Sequence, residues 1–303
     1  MARRRRGALV NGWVVLDKPS GMTSAKAVGR AKRFLNAAKA GHAGTLDPMA
    51  TGVLPIAFGE ATKVMPYAMD GEKVYRFTAR WGEARTTDDA EGEITQVSPV
   101  RPSANQILAA LPRFIGDIQQ RPPAFSAIKF KGQRAYDLAR SGQLVELEPR
   151  TVSIKRLELI PPVSEKDADP DIAEFEMSCG KGTYVRALVR DLGQALGTYG
   201  HLSVLRRVRV GPFHESQAIC LDKLEVMVHS APLHACLLPI MTVLDDIPAL
   251  AVTGSEATRL RYGQAVRVPS SKQGTVRVTA EGKPVALAQI AGGELRPVRV
   301  FNV

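Results

Sequence analysis

Cysteines, aromatic residues and long apolar runs are all scarce in this sequence. Three cysteines, Cys179, Cys220 and Cys236, stand among 303 residues, an odd number without close spacing. That excludes a disulfide framework and a cysteine-rich zinc module, and it fits reduced thiols in a cytoplasm. The five histidines, His42, His201, His214, His229 and His234, show no metal-ligand spacing, so no metal is expected. No P-loop, dinucleotide fingerprint or G-x-S-x-G elbow occurs, which leaves ATP, NAD and serine-hydrolase chemistry unsupported. The most apolar stretch, Ser230 to Leu244, holds two prolines and a histidine and is too short to cross a bilayer. Arg3 to Arg6 ahead of an apolar stretch imitate a signal peptide. Asn11 and Gly12 interrupt that stretch, however, and Asp17-Lys18-Pro19 follows without a small-residue cleavage site. A cytoplasmic protein without membrane contact is expected.

What is present is a folded composition, 45% hydrophobic and 23% charged, on a chain long enough for two cores. The formal charge is +11, and it is unevenly spread. Residues 18–59 hold six cations (Lys18, Lys26, Arg30, Lys32, Arg33, Lys39) and one acid, Asp47. Residues 181–211 hold six (Lys181, Arg186, Arg190, Arg206, Arg207, Arg209) against Asp191 alone, and residues 247–303 hold eight against three. Acids gather at Glu83 to Glu93, Glu165 to Glu176 and Glu215 to Asp246. Such segregation suits a polyanion-binding face with a repelling back.

The patterning predicts a strand at Gly12 to Leu16, then a helix capped by Thr23 or Ser24 and running to about Ala38. Gly41 to Gly52, GHAGTLDPMATG, must be a loop. Further elements are a strand at Val53 to Phe58, a short helix at Ala61 to Met69, and an alternating strand at Lys73 to Trp81 with Tyr75, Phe77, Ala79 and Trp81 on one face. Ser103 with Gln106 forms a capping box for a helix to about Ile115. Pro122 to Glu148 reads as a long basic and aromatic excursion with one or two helical turns in Arg134 to Arg140. Strands follow at Val152 to Ile160 and Ile172 to Ser178, a helix from Thr183, and a strand at Leu202 to Val210. Thr253 and Glu256 cap another helix, and short strands at Ala265 to Val268, Thr275 to Thr279, Val285 to Ile290 and Leu295 to Val303 suggest a small barrel. The fold class is α+β.

Asp47, a lone carboxylate in a glycine-rich loop among cations, has two readings. Asp-Pro opens turns through its own side chain. Alternatively, a carboxylate held near positive charge is available as a nucleophile or base. No second loop acid accompanies it, which argues against a carboxylate pair or a hard-metal cage.

GHAGTLDPMATGVL, with LDKPSGMTS, EKVYRF, RPPAFSAIKFKGQRAYDLAR and GKGTYVRALVRDLG, resembles the TruB family of bacterial tRNA pseudouridine synthases, which modify uridine 55 of the T loop. The five ordered motifs span Leu16 to about Val210. The resemblance implies a pseudouridine synthase fold, with a mixed sheet flanked by helices, over residues 11–246. It further implies a basic arm at 1–10, a thumb-like excursion at about 123–150, and a PUA-like RNA-binding barrel at 247–303. It implies that Asp47 is the nucleophile, with attack on the ring or on the sugar left open. Tyr75 would stack on the base and accept the carbon 5 proton, and Arg186 would pair with Asp47. Tyr184 and Leu205 would line the uracil pocket, His42 would fill the stack vacated by the flipped nucleotide, and Lys18 would contact phosphate or support the loop. Ala43, Met49 and Gly180 depart from the family's commoner Thr, Leu and Ser, which touches fine geometry and not the reaction.

The function expected is therefore that of an isomerase, an intramolecular transferase. It would act on the tRNA T arm as a monomer, without cofactor, metal or protein partner, because the isomerisation is redox-neutral. The rivals are a guide-RNA-dependent pseudouridine synthase, less favoured for lack of a long basic C-terminal extension, and a tRNA-binding folding chaperone that needs no chemistry.

Overall fold

The computed structural model describes all residues except 1–6, 127, 131–132, 136–137, 139–140, 142, 144–146, 163–168, 231, 233–234 and 270–272. The chain runs β1 (Gly12–Lys18), α1 (Ser24–Phe34), β2 (Ala40–His42), β3 (Thr51–Phe58), α2 (Met65–Asp70), β4 (Lys73–Trp81), β5 (Glu83–Arg85), β6 (Ile94–Val97), α3 (Ala104–Ala110) and β7 (Gly116–Gln120). It continues through β8 (Lys129–Phe130), β9 (Gln133–Arg134), β10 (Arg150–Ile160), β11 (Ile172–Cys179), α4 (Val185–Ala195), β12 (Gly200–Val210), β13 (Phe213–His214) and α5 (Leu221–Ser230). The last part comprises β14 (Ala249–Ala251), α6 (Gly254–Arg261), β15 (Val266–Arg267), β16 (Gly274–Ala280), β17 (Lys283–Ala291) and β18 (Glu294–Val300).

A nine-stranded mixed sheet in the order β1-β3-β12-β4-β11-β10-β7 forms the body, with β2 added on β3 and β13 on β12. Both faces of its first strands are covered, so β1 and β3 read as continuous apolar runs and not as alternating ones. Leu16, Leu54, Ile56, Phe77, Phe175 and Leu188 enter one core; Trp13, Val53, Ala57, Val64, Phe213 and Ile240 enter the other. The edge of β1 is closed by short backbone pairings, Trp13 with Leu238 and Asp17 with Ile219.

The C-terminal part is a five-stranded half-barrel, β14-β16-β17-β18-β15, with α6 packed on it. It is not merely appended: Leu287 and Phe301 share the core that holds Trp13 and Phe213, and Lys63 Nζ donates to the Val300 carbonyl at 2.7 Å.

Several expectations are corrected. α1 stops at Phe34 because Asn36 turns left-handed (φ 45) and Ala37 N–H reaches back to Lys32 O at 3.0 Å, which is a Schellman stop. Residues 36 and 38 then pair with Ala8, so the end of the expected basic arm is docked, and Val10 is buried. The helix expected over Ala61 to Met69 is split into a 3-10 turn, Gly59–Lys63, and α2. α4 starts two residues after Thr183, whose hydroxyl instead donates to Gly180 O at 3.2 Å. Hairpins β5–β6 and β8–β9 and helix α5 had no clear sequence signal. The helical turns expected in Arg134 to Arg140 fall largely outside the described residues. Both capping boxes, at Ser103 with Gln106 and at Thr253 with Glu256, are formed.

Gly52 opens β3 with φ +99, and a Cβ there would lie 2.2 Å from the Arg207 carbonyl. Gly21 has φ +74 with nothing within 4 Å of a Cβ. Gly52→Ala should therefore destabilise the fold by ~3 kcal/mol or more and Gly21→Ala by ~1 kcal/mol, measured by urea unfolding. Equal costs would show that backbone conformation alone matters at both sites.

Candidate active site

Between β2 and β3 the chain forms the glycine-rich loop that carries Asp47. Its shape is fixed from below. The Ser24 hydroxyl donates to Leu46 O at 3.0 Å and accepts from Leu46 N–H at 2.8 Å. Arg207, 1% exposed, donates from Nη2 to Gly44 O at 3.0 Å, from Nη1 to Thr45 O at 3.4 Å and from Nε to Val53 O at 2.8 Å. Lys18 donates to the carbonyls of Pro19, Met22 and Pro48 at 2.8, 2.7 and 3.1 Å. Gly44, at φ +98, admits the Arg207 guanidinium, whose Nη1 would be 3.3 Å from a Cβ there.

Arg186, in the first turn of α4, is buried and its Nε lies 2.9 Å from Asp47 Oδ2. The Nε–H is not aligned for a hydrogen bond, so charge attraction holds this contact. The rest of the guanidinium is satisfied elsewhere: Nη1 donates to Thr87 O at 3.0 Å and lies 3.6 Å from Asp89 Oδ2, and Nη2 donates to Phe125 O at 3.0 Å. The start of α4 is fixed without a side-chain cap. Buried Gln120 takes the Tyr184 N–H at 2.8 Å and donates to the Tyr184 carbonyl at 3.1 Å, which sets the helix entry two residues before Arg186.

The floor is the β4–β12 pair. Tyr75 lies opposite Arg207, and Phe77 opposite Leu205, on adjacent antiparallel strands. Tyr75 is partly buried, and burial pushes its hydroxyl above the usual phenol range, with the Arg207 charge opposing and Asp47 adding. Burial likewise raises Tyr184, against the Ser126 hydroxyl beside it. Burial, helped by the Arg207 charge, lowers His42, so its ring is neutral at pH 7; its Nδ1 has no partner among the described residues. Leu205 is 6% exposed.

The structure thus brings Arg186 and Tyr75 to Asp47 on its loop, with His42 at the start of the loop near Arg207. Of the two roles expected for Lys18, the geometry fits support of the loop and not phosphate contact: its side chain is buried and all three of its N–H donors go to carbonyls. Two residues went unrecognised in the sequence. Asp89 falls in an acidic stretch that suits a repelling back, yet it is buried against Arg186, and Arg207 falls in a basic stretch, yet it too is buried. The adjacent acids in Thr87-Asp88-Asp89, at the end of a strand, were the available signal for the first.

No group of His, Cys, Asp or Glu that could hold a metal is found among the described residues, and no helix in them is long and apolar enough to cross a membrane. The Cys179 thiol is buried and pushed up to about 11, which makes it inert.

Three family models tile the chain: "TruB family pseudouridylate synthase (N terminal domain)" over residues 32–185, "tRNA pseudouridylate synthase B C-terminal domain" over 186–245 and "tRNA Pseudouridine synthase II, C terminal" over 247–302. The chain belongs to the TruB family of pseudouridylate synthases. It is 56% identical to the tRNA pseudouridine synthase B of Bradyrhizobium diazoefficiens over 99% of this chain and 88% of that protein. It is 52% identical to the protein of the same name from Caulobacter vibrioides, over the whole of both. Among solved structures, an H/ACA RNP bound to a substrate RNA containing 2'-deoxyuridine matches with TM-score 0.73 and 23% identity, covering 100% of this chain and 92% of that one. A Cbf5-Nop10-Gar1 complex matches with TM-score 0.70 and 26% identity, covering 96% and 84%. These two likenesses show a fold shared over nearly the whole chain.

Burial pushes Lys18 down to about 8, against the favourable Asp47 charge. The unfolded chain keeps its lysine proton to about pH 10.4. Between these values the unfolded state holds more protons, so the Lys18 contribution to stability rises with pH. The stability of wild type minus that of Lys18→Met should increase between pH 7 and 10, by up to ~3 kcal/mol. A pH-independent difference in urea unfolding would show that the fold leaves the titration of Lys18 unchanged.

Proposed function

We propose that this TruB family member isomerises uridine 55 in the T loop of tRNA to pseudouridine, with Asp47 as the nucleophile. The observation that carries the reading is the contact of Asp47 with buried Arg186 beside Tyr75, in a chain whose curated relatives are named as tRNA enzymes. In this reading Asp47 bonds to the flipped nucleotide and the bond between sugar and N1 breaks. The uracil turns and carbon 5 joins the sugar. Carbon 5 then loses its proton to the Tyr75 oxygen as that hydroxyl gives up its own proton, N1 takes up one proton so that none is gained or lost overall, and Asp47 is released. Atoms balance without oxidant, cofactor or energy source.

Tyr184 and Leu205 hold the turning uracil, and the neutral ring of His42 stacks where the flipped nucleotide stood. Cations on the solvent side of α1, Lys26, Arg30 and Arg33, lie beside the loop through the Ser24 anchor and suit phosphates of the T arm. The enzyme acts as a single chain in the cytoplasm, where tRNA is found. The guide-dependent reading has weaker support. The likenesses to the H/ACA RNP and the Cbf5-Nop10-Gar1 complex stand at 23% and 26% identity, against more than 50% for the proteins named as tRNA enzymes.

Release of tritium from carbon 5 of a labelled T-loop transcript tests the proposal. Asp47→Asn should abolish release while tRNA binding persists; release at the wild-type rate would remove Asp47 as nucleophile. Tyr75→Phe keeps the ring and loses the hydroxyl, so turnover should fall by roughly 100-fold or more with affinity unchanged. Near-normal turnover would assign proton removal to another group.

A further inference from the structure

Arg190 stands one helical turn beyond Arg186 on α4 and is not required by any step above. Its Nη1 donates to Asp88 Oδ2 at 2.9 Å, its Nη2 to the Arg121 carbonyl at 2.8 Å, and its Nε to Asp191 Oδ1 at 2.9 Å. Arg186 meets the same two segments: Thr87 and Asp89 flank Asp88, and Phe125 follows Arg121. The contacts of Arg186 other than Asp47 therefore lie on stretches of chain that Arg190 also holds.

Asp88 is the pivot. It is a non-glycine residue with φ 59, a left-handed conformation that must be held by its surroundings. Its N–H reaches Arg85 O at 3.1 Å and its carbonyl accepts from Leu202 N–H at 3.1 Å, which ties the 86–90 turn to β12. This conformation turns the Thr87 carbonyl and the Asp89 carboxylate together onto Arg186 Nη1. The Asp88 carboxylate is itself partly buried, at 18% side-chain exposure, and the Arg190 guanidinium is its ion-pair partner at 2.9 Å. Without that cation a desolvated carboxylate turns outward or takes a proton, and the turn loses its set.

We propose that Arg190 is a positioning residue of the active site, acting on Asp47 through the 86–90 turn and Arg186. The proposal rests on the reading of Asp47 as the reactive carboxylate. Arg190 touches no reacting atom. Its work is to hold Asp88 and Arg121 so that the other partners of Arg186, Thr87, Asp89 and Phe125, keep its guanidinium against Asp47.

The test uses the full chain, tritium release in a single turnover with enzyme in excess, tRNA affinity by filter binding, and thermal unfolding. Arg190→Gln should slow release roughly 10- to 100-fold with tRNA affinity within about twofold of wild type. Arg190→Lys should recover part of the rate, since an ammonium can still meet Asp88. In an Arg186→Lys background, Arg190→Gln should add less than about twofold, because residues acting through one group are not additive. A wild-type rate for Arg190→Gln, with or without lowered thermal stability, overturns the proposal, as does the same slowing in both backgrounds. If Arg190→Gln does not fold, Asp88→Asn serves instead, since asparagine tolerates positive φ; the same slowing supports the proposal and a wild-type rate overturns it. Asp47→Asn measured alongside separates the two readings, because activity there would remove the nucleophile and not the positioning.

Discussion

A guanidinium that is 4% exposed must find acceptors, and the surroundings of Asp47 follow from satisfying Arg186. Two carbonyls and two carboxylates converge on it, drawn from the loop after β2, the turn after β5 and the chain beyond β7. None of these segments is near α4 in sequence. The site therefore exists only when the sheet has brought β3, β12 and β4 side by side and Gln120 has fixed the entry of α4. Arg207 and Lys18 repeat the principle beneath the loop, where backbone carbonyls accept from both side chains. Two cations that need carbonyls and a loop that has spare carbonyls define each other's geometry. That explains why a stretch so rich in glycine holds one shape.

Local signals in the sequence were reliable where their cause was local. The alternation of Lys73 to Trp81 and the capping boxes each specify structure through neighbouring residues, and each is found as read, whereas the loop expected over Gly41 to Gly52 is trimmed at both ends, where Gly41 and His42 pair in β2 and Thr51 and Gly52 belong to β3. Asp47, Tyr75 and Arg186 were legible through motif resemblance, and the fold brings them together. Arg207 was not legible, and the reason is physical. Arg207 shares a face of β12 with buried Leu205 at period two, but a cation in the run Arg206-Arg207 reads as exposed, and the carbonyls that accept from it, Gly44, Thr45 and Val53, come from a segment distant in sequence. α1 was read too long because Ala37 and Ala38 favour helix, whereas the pairing of residues 36 and 38 with Ala8 overrides that propensity.

Charge was the least transferable signal. Segment counts suggested a basic face around residues 18–59 and 181–211, but many of those cations face inward or are neutralised. Lys18, Arg186 and Arg207 are buried; Arg190, Arg206 and Arg209 pair with Asp88, with Asp17 and Glu215, and with Glu72. The cations left facing solvent in the first segment lie on α1 and just after it, with Lys26, Arg33 and Lys39 exposed. Within residues 18–59 a polyanion would thus be met by one helix beside the Asp47 loop, a narrower surface than that segment's charge count implied, while further exposed cations, among them Arg259, Arg261 and Arg267, lie in the C-terminal part.

One buried cation also unifies the two aromatic groups proposed to handle the base. Arg207 lowers His42, adding to the effect of burial, so the ring carries no charge at neutral pH and presents an apolar face for stacking. The same guanidinium opposes the rise that burial imposes on Tyr75, which favours the phenolate. In the proposed reading the stacking ring is thus neutral chiefly because it is buried, with Arg207 adding to that effect, whereas at Tyr75 Arg207 only partly offsets the burial that holds the hydroxyl above the usual phenol range. A neutral side chain at that position would remove both influences and release the carbonyls of Gly44 and Thr45, so the chemistry of the floor and the shape of the loop depend on the same residue.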